Sequence, residues 1–477
     1  MKEDDKEVAT GSKTSIGKIF KKTWPLALNY MPGTFTWGGV WFSINIIHLS
    51  RIIWADNDIH AQELGFALGL PTIILALAGL IWGPIIDKFN RRKLLSFQTA
   101  FDGIGFASIG FIPEGMRAVS FIALMAAIMF KAIFAAGGAP IISSFTDDAL
   151  EESEKSQFHG VAASLQQVLM IGGMMITTSI FGTHWRVYFW VVGGIEIVAG
   201  VIIFLKAEEP KRGVKKDELR SILKLENKVY NYQITRETMK STIFSPSNLI
   251  ILVEGIFTQM IMAVPWFIVF LYIESPPFNV DPFIFSLINM MFAVPGAIFG
   301  NVVFSKISDK YGKKNIRNRV IAIFFGLLGL YGVWFMYFLI PIPPLTPEEG
   351  KSLIAIFSHP WYLVGAIAVF FGGSVSNLFI MNQRPLVQKL NLPEAQGAIT
   401  SANLFLESLG RGIGTLMAGT LLNFFQNDFK LTVLVLMGIG LIGAALWLII
   451  LKIMKKDLDK VSKILESRAS DIEATEN

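Results

Sequence analysis

The 477-residue chain contains no cysteine, which excludes a disulfide framework, a thiolate metal site and a cysteine nucleophile, and leaves the redox compartment unreadable. Histidine is almost as scarce, and five residues leave little room for a multi-His metal centre. Charge is thin as well. Only 17% of residues are Asp, Glu, Lys or Arg, whereas a soluble globular chain carries about 25%, so the polypeptide lacks the polar surface to stay in water. No Gly-x-x-x-x-Gly-Lys-Ser/Thr loop is present to cradle a nucleotide, which argues against direct ATP drive, and none of the apolar spans offers an H-E-x-x-H or a comparable cluster of catalytic metal ligands. What remains is apolar: 52% hydrophobic residues, with 42 Gly and 39 Phe, and a mean hydropathy of +0.52. Such a composition fits closely packed lipid-embedded helices, because a transmembrane barrel would show alternating segments of about 10 residues.

Apolar stretches near the ~20 residues that a helix needs to cross a bilayer core are separated by short polar breaks. They fall at 24–48, 62–86, 94–112, 118–144, 158–181 and 186–205, and again at 247–273, 282–304, 319–340, 359–382, 396–422 and 430–453. These twelve spans predict an all-α membrane protein. The domain plan is a tail at 1–23, a six-helix bundle at 24–205, a central loop at 206–246, a second six-helix bundle at 247–453 and a tail at 454–477. The first 23 residues are polar and run into a long span without a small-residue cleavage site, so no removable signal peptide is expected. Of the 42 Lys and Arg, counting those at span ends with the side they adjoin, 35 fall on the side of the N-terminus, five on the opposite side and two, Lys131 and Arg411, deep within spans. The positive-inside rule then predicts a multi-pass protein of the cell membrane with both termini cytoplasmic. The net charge of +5 follows from that topology and does not argue for nucleic acid. In the central loop, Leu219, Ile222, Leu223, Leu225 and Val229 recur near a helical period, which suits an amphipathic helix on the inner face or a solvated connector.

The two halves repeat each other. Loop 2/3 carries Gly83, Asp87, Lys88, Asn90, Arg91 and Arg92, and loop 8/9 carries Ser305, Asp309, Lys310, Gly312, Lys313 and Lys314 at matching positions. Span 5 opens with Gly160, Ser164 and Gln166 and reaches Gly173, while span 11 opens with Gly397, Ser401 and Asn403 and reaches Gly410. A parallel repeat of two six-helix bundles places a substrate site between them near the bilayer midplane. The loop 2/3 run resembles the G-x-x-x-D-R-x-G-R-R signature of the major facilitator superfamily, with Lys88 for Arg and Asn90 for Gly, and the resemblance extends over the whole chain.

That resemblance implies two pseudo-symmetric bundles of the major facilitator fold, with spans 1, 4, 7 and 10 lining the cavity and spans 3, 6, 9 and 12 acting as outer scaffold. It also implies a cytoplasmic gate at Gly83, Asp87, Arg91, Arg92, Asp309 and Lys313. Asp87 suits hydrogen bonds from another helix's N-terminus, and Arg91 and Arg92 suit a clamp on the acidic loop 4/5, where Asp147 and Asp148 lie. Plain positive-inside anchoring would explain the basic residues but not the matched Asp87 and Asp309.

Ionisable groups inside hydrocarbon cost about 2.5–3.5 kcal/mol on insertion scales, so each needs a partner or a wet cavity. Lys131 heads a run, Lys131 to Pro140, that resembles the span-4 R-x-x-Q-G-x-G signature of proton-coupled members. It suits a titratable coupling site, an anchor for an anionic substrate or a structural ion pair. Glu254 in span 7 is its natural partner on chemical grounds, with Thr258 and Gln259 beside it, and suits either proton carriage or an inner-gate network. Glu407 and Arg411 stand i, i+4 on span 11 and are expected to neutralise each other, and Asp102 and Glu196, on scaffold spans, to make helix-to-helix hydrogen bonds. Asn29 and Thr36 form a polar stripe on span 1 with Ser43, and Gln166, Gln167 and Asn377 add amides at corresponding depths. Candidate substrate or coupling residues are thus Asn29, Thr36, Lys131, Gln166, Gln167, Glu254, Gln259, Asn377 and Arg411.

The reading that unites these features is a secondary active transporter, not an enzyme, that moves a small organic solute by alternating access, with proton coupling open. It needs no cofactor and no metal, works in the bilayer as a monomer, and has the solute as its partner. The alternatives are a lipid or drug exporter of the same fold, weakened by a span 5 without the Gly-Pro-rich signature of drug/proton antiporters, and an intramembrane enzyme or transport-fold receptor.

Overall fold

The computed structural model describes residues 16–43, 47–56, 58–150, 152–209 and 235–474, and every regular element among them is helical. The amphipathic reading of the central loop falls on residues outside this set. Span 1 is Ile16–Ser43, span 2 Ala61–Lys88 and span 3 Arg91–Ile109. Span 4 is broken into Ala118–Ala135 and Gly138–Ala149, where Gly137, Gly138 and Pro140 interrupt the chain. Spans 5 and 6 share one helical path, Glu152–Lys206, bent at His184 (φ −138°, ψ 42°), so the short loop expected between them is reduced to a kink.

In the second half, span 7 runs Pro246–Ile261, passes through a π-helical turn at Val264–Ile268 containing Pro265, and finishes at Val269–Glu274. Span 8 likewise contains a π turn, Gly300–Phe304, between Pro282–Phe299 and Ser305–Lys314. Such turns are rare and cluster where a helix must re-aim its side chains. Span 9 is Arg317–Leu339, span 10 Pro360–Lys389, span 11 Gln396–Phe424 and span 12 Phe429–Ala474. Among the described residues, eight helices are long and apolar enough by themselves to cross a membrane. Spans 1, 3, 5 and 11 fall outside those eight, span 5 contributing the shorter apolar helix Val168–Ile180.

Two of the observed boundaries differ from the hydropathy limits. The helix of span 10 continues seven residues past position 382, through Pro385. A proline removes the N–H that would bond the carbonyl four residues earlier, and here the Met381 carbonyl accepts instead from Arg319 Nη1 at 3.5 Å. Span 12 continues through Ala474 because Met454, Asp457, Val461 and Arg468 return to one face and are buried. Asp457 Oδ2 accepts from the Ser247 amide at 3.0 Å and hydroxyl at 2.7 Å, and Arg468 pairs with Glu394 at 2.8 Å.

The packing is inverted relative to a soluble protein only on the outside. Trp447, Phe106, Phe189, Phe267 and Phe338 fill the interior. Phe111, Ile122, Val168, Leu205 and Phe325 are at least 64% exposed, a surface that acyl chains and not water must cover. The molecule is an integral multi-pass membrane protein.

Candidate functional site

The two halves are pressed together at the end opposite the N-terminus. There span 2 begins and span 11 finishes. A Cβ on Gly419 would lie 2.3 Å from the Ala61 carbonyl, and one on Gly69 would lie 2.6 Å from the Gly412 carbonyl. Asn423 Nδ2 donates to Gln62 Oε1 across the same seam at 3.0 Å. At the N-terminal end the halves part. The starts of spans 1 and 5 and the ends of spans 4 and 10 surround a hollow of about 590 Å³. Its polar lining is Thr23, Tyr30, Gln166 and Arg384, the last contributed by the opposite half. Tyr30 donates its hydroxyl to Gln166 Oε1 at 2.8 Å, so Gln166 is a wall residue of this hollow, while the side chain of Gln167 lies outside the described set.

A second polar cluster is buried inside the first half. Lys131 Nζ donates to Asp102 Oδ1 at 2.6 Å. Glycine makes the meeting possible: a Cβ on Gly105 would come within 2.8 Å of Lys131 Cα, and one on Gly103 within 2.7 Å of Glu196 Cβ. Spans 4 and 6 therefore close on span 3 at backbone distance, and Lys131 and Glu196 flank Asp102. Thr36 Oγ1 donates to Glu196 Oε1 at 3.1 Å, which ties span 1 to the cluster. Glu196 Oε2 is buried and makes no hydrogen bond among the described residues. The partner expected for Lys131 was Glu254, and the structure corrects this. Asp102, assigned to scaffold hydrogen bonding, is the counter-ion, because chemical complementarity alone does not tell which span stands next to which.

Glu254 is fully buried in the other half and accepts from Thr258 on its own helix. Arg411 donates Nε and Nη2 to Gln259 Oε1 at 3.3 and 3.0 Å, and Glu407 accepts from Asn403 at 2.7 Å. Glu407 and Arg411, expected to neutralise each other, each hydrogen-bond an amide, and no direct ion pair joins them among the described residues. Asn29 is committed to span 3, donating to Gln98 Oε1 at 2.6 Å and Thr99 Oγ1 at 2.8 Å. Asn377 bridges spans 8 and 10, donating to the Ala297 carbonyl at 3.2 Å and the Gly373 carbonyl at 3.1 Å. Both amides serve packing and neither lines the hollow.

In loop 2/3, Glu209 caps the start of span 3, while the side chains of the loop 4/5 acids expected to meet Arg91 and Arg92, Asp147 and Asp148 among them, lie outside the described residues. Glu209 Oε1 accepts from the Arg91 amide at 3.0 Å and its Oε2 from the Arg92 amide at 2.7 Å. Arg92 Nη1 donates to the Ala207 carbonyl at 3.0 Å, and Gly83 has no close neighbour. A carboxylate against the first amides of a helix is favoured by both hydrogen bonding and the helix dipole. The side chains of Asp87, Asp148, Asp309 and Lys313 lie outside the described residues.

Two related helical bundles that meet at one end and part around a hollow at the other make the architecture of a membrane carrier. The family model of the Major Facilitator Superfamily matches residues 26–415, and the chain belongs to that superfamily: it is a transporter and not an enzyme. It is 27% identical over 197 residues to a D-xylose transporter of Levilactobacillus brevis, a match covering 39% of this chain and 40% of that one. The chain thus spans well under half the length of that curated relative. Its fold is similar to a bacterial homolog of the human lysosomal transporter Spinster in an inward-facing and unoccupied conformation, with a TM-score of 0.64, 15% identity and coverage of 91% and 98% of the two chains. It is also similar to a D-xylose-proton symporter, with a TM-score of 0.61, 13% identity and coverage of 91% and 97%.

Proposed function

We propose that this protein is a secondary active transporter that carries a small organic solute between the two halves by alternating access, coupled to protons through Asp102, Lys131 and Glu196. The observation that carries the reading is the asymmetry of the interface, closed at Gly65, Gly69, Gly412 and Gly419 and open at the hollow beside Arg384. With both termini on the cytoplasmic side, as the excess of Lys and Arg there supports, this is the inward-facing state. The coupling assignment rests on charge balance: two carboxyls and one ammonium in a water-poor interior are neutral only when the group holds one proton. Thr36 passes the state of Glu196 to span 1, which also lines the hollow. The remaining loop 2/3 and 8/9 residues, Asp87, Asp309 and Lys313 among them, act at the gate, and the protein works as a monomer in the cell membrane.

Purified protein in proteoliposomes should exchange an external labelled solute against the same solute unlabelled inside with no gradient imposed, and the panel to try spans xylose, prompted by the local match to a D-xylose transporter, organic acids, amino acids and lysolipids. An inward pH gradient should drive net uptake in the wild type and not in Glu196→Gln, which keeps exchange. Exchange absent for sugars, organic acids, amino acids and lysolipids alike would refute carriage, and gradient-driven uptake by Glu196→Gln would refute the coupling site.

A further inference from the structure

We infer that the hollow is built for an organic anion with an apolar body, its charged head held by Arg384; this rests on the carrier reading above and names its substrate class. Arg384 is the one charged side chain among the residues described as lining the hollow. It is exposed there, and no carboxylate stands within ion-pair distance of it among the described residues. Glu407 is hydrogen-bonded to Asn403. The other candidate cations are already engaged, Lys131 by Asp102 and Arg411 by Gln259.

The walls set the rest of the ligand. Ile19, Phe20, Leu26, Ile142, Phe158 and Leu165 face the space, and the hydroxyls and amide of Thr23, Tyr30 and Gln166 are few beside them. A sugar carries hydroxyls on every side, and each one set against such a wall loses its hydrogen bonds to water without a partner in return. An alkyl chain there gains with each methylene taken from water. A guanidinium stays charged at any physiological pH and offers a planar fork that fits a carboxylate or a phosphate in two-point contact. Since Arg384 belongs to the second half and the apolar walls to the first, a bound anion would bridge the bundles and bring them together, as alternating access requires.

The test uses the full-length protein in nanodiscs and radiolabelled hexyl phosphate, with hexanoate, hexanol and xylose as competitors. Hexanoate should displace the label, hexanol should be at least tenfold weaker, and xylose should have no effect. Arg384→Gln should lose at least tenfold in affinity while unfolding at the wild-type temperature, and Arg384→Lys should recover part of the loss. Equal competition by hexanol, displacement by xylose, or undiminished binding by Arg384→Gln would overturn the inference. The carrier reading fails separately: hexyl phosphate that binds through Arg384 but shows no counterflow in proteoliposomes would sink carriage and leave the anion site, whereas xylose counterflow undiminished in Arg384→Gln would do the reverse.

Discussion

Gly65 and Gly419 meet across the two halves with no room for a side chain: a Cβ built on Gly419 would lie 2.9 Å from Gly65 Cα and 2.3 Å from the Ala61 carbonyl. Small residues let helix backbones approach closely within a bilayer. Here the approach joins separate bundles, so it forms and breaks with each transport cycle if the bundles rock. Gly419→Val should therefore leave each bundle intact and oppose closure at this end. The absence of cysteine gives a clean background for measuring it. Gln62→Cys with Asn423→Cys should cross-link under oxidation, stop exchange at least tenfold and release it on reduction. Adding Gly419→Val should lower the cross-linking yield severalfold. An undiminished yield would show that the seam is not the closing contact.

The buried cluster makes a stability prediction. Removing one partner of a buried ion pair typically costs about 3–5 kcal/mol because the other charge stays buried and uncompensated. Asp102→Asn leaves Lys131 with Glu196 close by, so the cost should fall below that range, and the double variant with Glu196→Gln should reach it. Asp102→Leu with Lys131→Met removes both charges and should recover most of the loss. Thermal unfolding in one detergent compares all three. A double Asp102→Asn, Glu196→Gln variant no less stable than the single one would exclude Glu196 from the balance.

Loop 1/2 supplies a pH dependence. The hydrogen bond with His60, at 2.8 Å, chiefly holds the Asp56 carboxyl below its ordinary range, with the Asp58 amide adding to it. A carboxyl lowered in the folded state contributes stability that is complete above its unfolded pKa of about 3.9 and is lost as pH falls through the folded value. Wild type should therefore exceed Asp56→Asn in unfolding temperature at pH 6, and the gap should close in the acid range below pH 4. A gap that persists at pH 3 would mean that Asp56 acts through packing and not through its charge.

The number of spans, the six-and-six division and the loop 2/3 signature were readable because hydropathy and short motifs are local properties of the chain. Pairing was not. Lys131 could be recognised as needing a counter-ion, but its choice of Asp102 over Glu254 depends on Gly105 and Gly103 letting spans 4 and 6 close on span 3. Arg384 was hidden for a different reason. It lies past the apolar stretch and next to Pro385, so it reads as a loop residue. The helix continues through Pro385, and Arg319, distant in sequence, brings Nη1 to 3.5 Å from the Met381 carbonyl that the proline leaves without its usual donor. Glu209 likewise carries no motif, and only the nearness of the start of span 3 gives it a role.

The extension of span 12 is held by a carboxylate with almost no access to solvent. Asp457 is 2% exposed and accepts from both the amide and the hydroxyl of Ser247 at the start of span 7. Asp457→Ala leaves both donors buried without a partner, a cost of about 1–3 kcal/mol. Lys460, which stands 4.0 Å from Asp457 and is about half exposed, should be replaceable by Ala at almost no cost. Limited proteolysis should then release the extension faster in Asp457→Ala alone. Equal cleavage of both variants would show that the hydrogen bonds to Ser247 do not hold it.

Glu209 tests whether loop 2/3 is organised by hydrogen bonds to backbone or by side-chain clamps. Its two carboxylate oxygens take the amides of Arg91 and Arg92, and Asn90 takes that of Lys93 at 3.0 Å, so the first amides of span 3 are all satisfied. Loss of such a cap costs about 0.5–2 kcal/mol. Glu209→Gln keeps one acceptor oxygen and should lose less than Glu209→Ala, with both leaving solute affinity unchanged. If the joint holds span 3 against the end of span 6 through the cycle, exchange should slow in the same order as stability falls. Glu209→Ala with wild-type unfolding and wild-type exchange would return the role to Arg91 and Arg92 side chains.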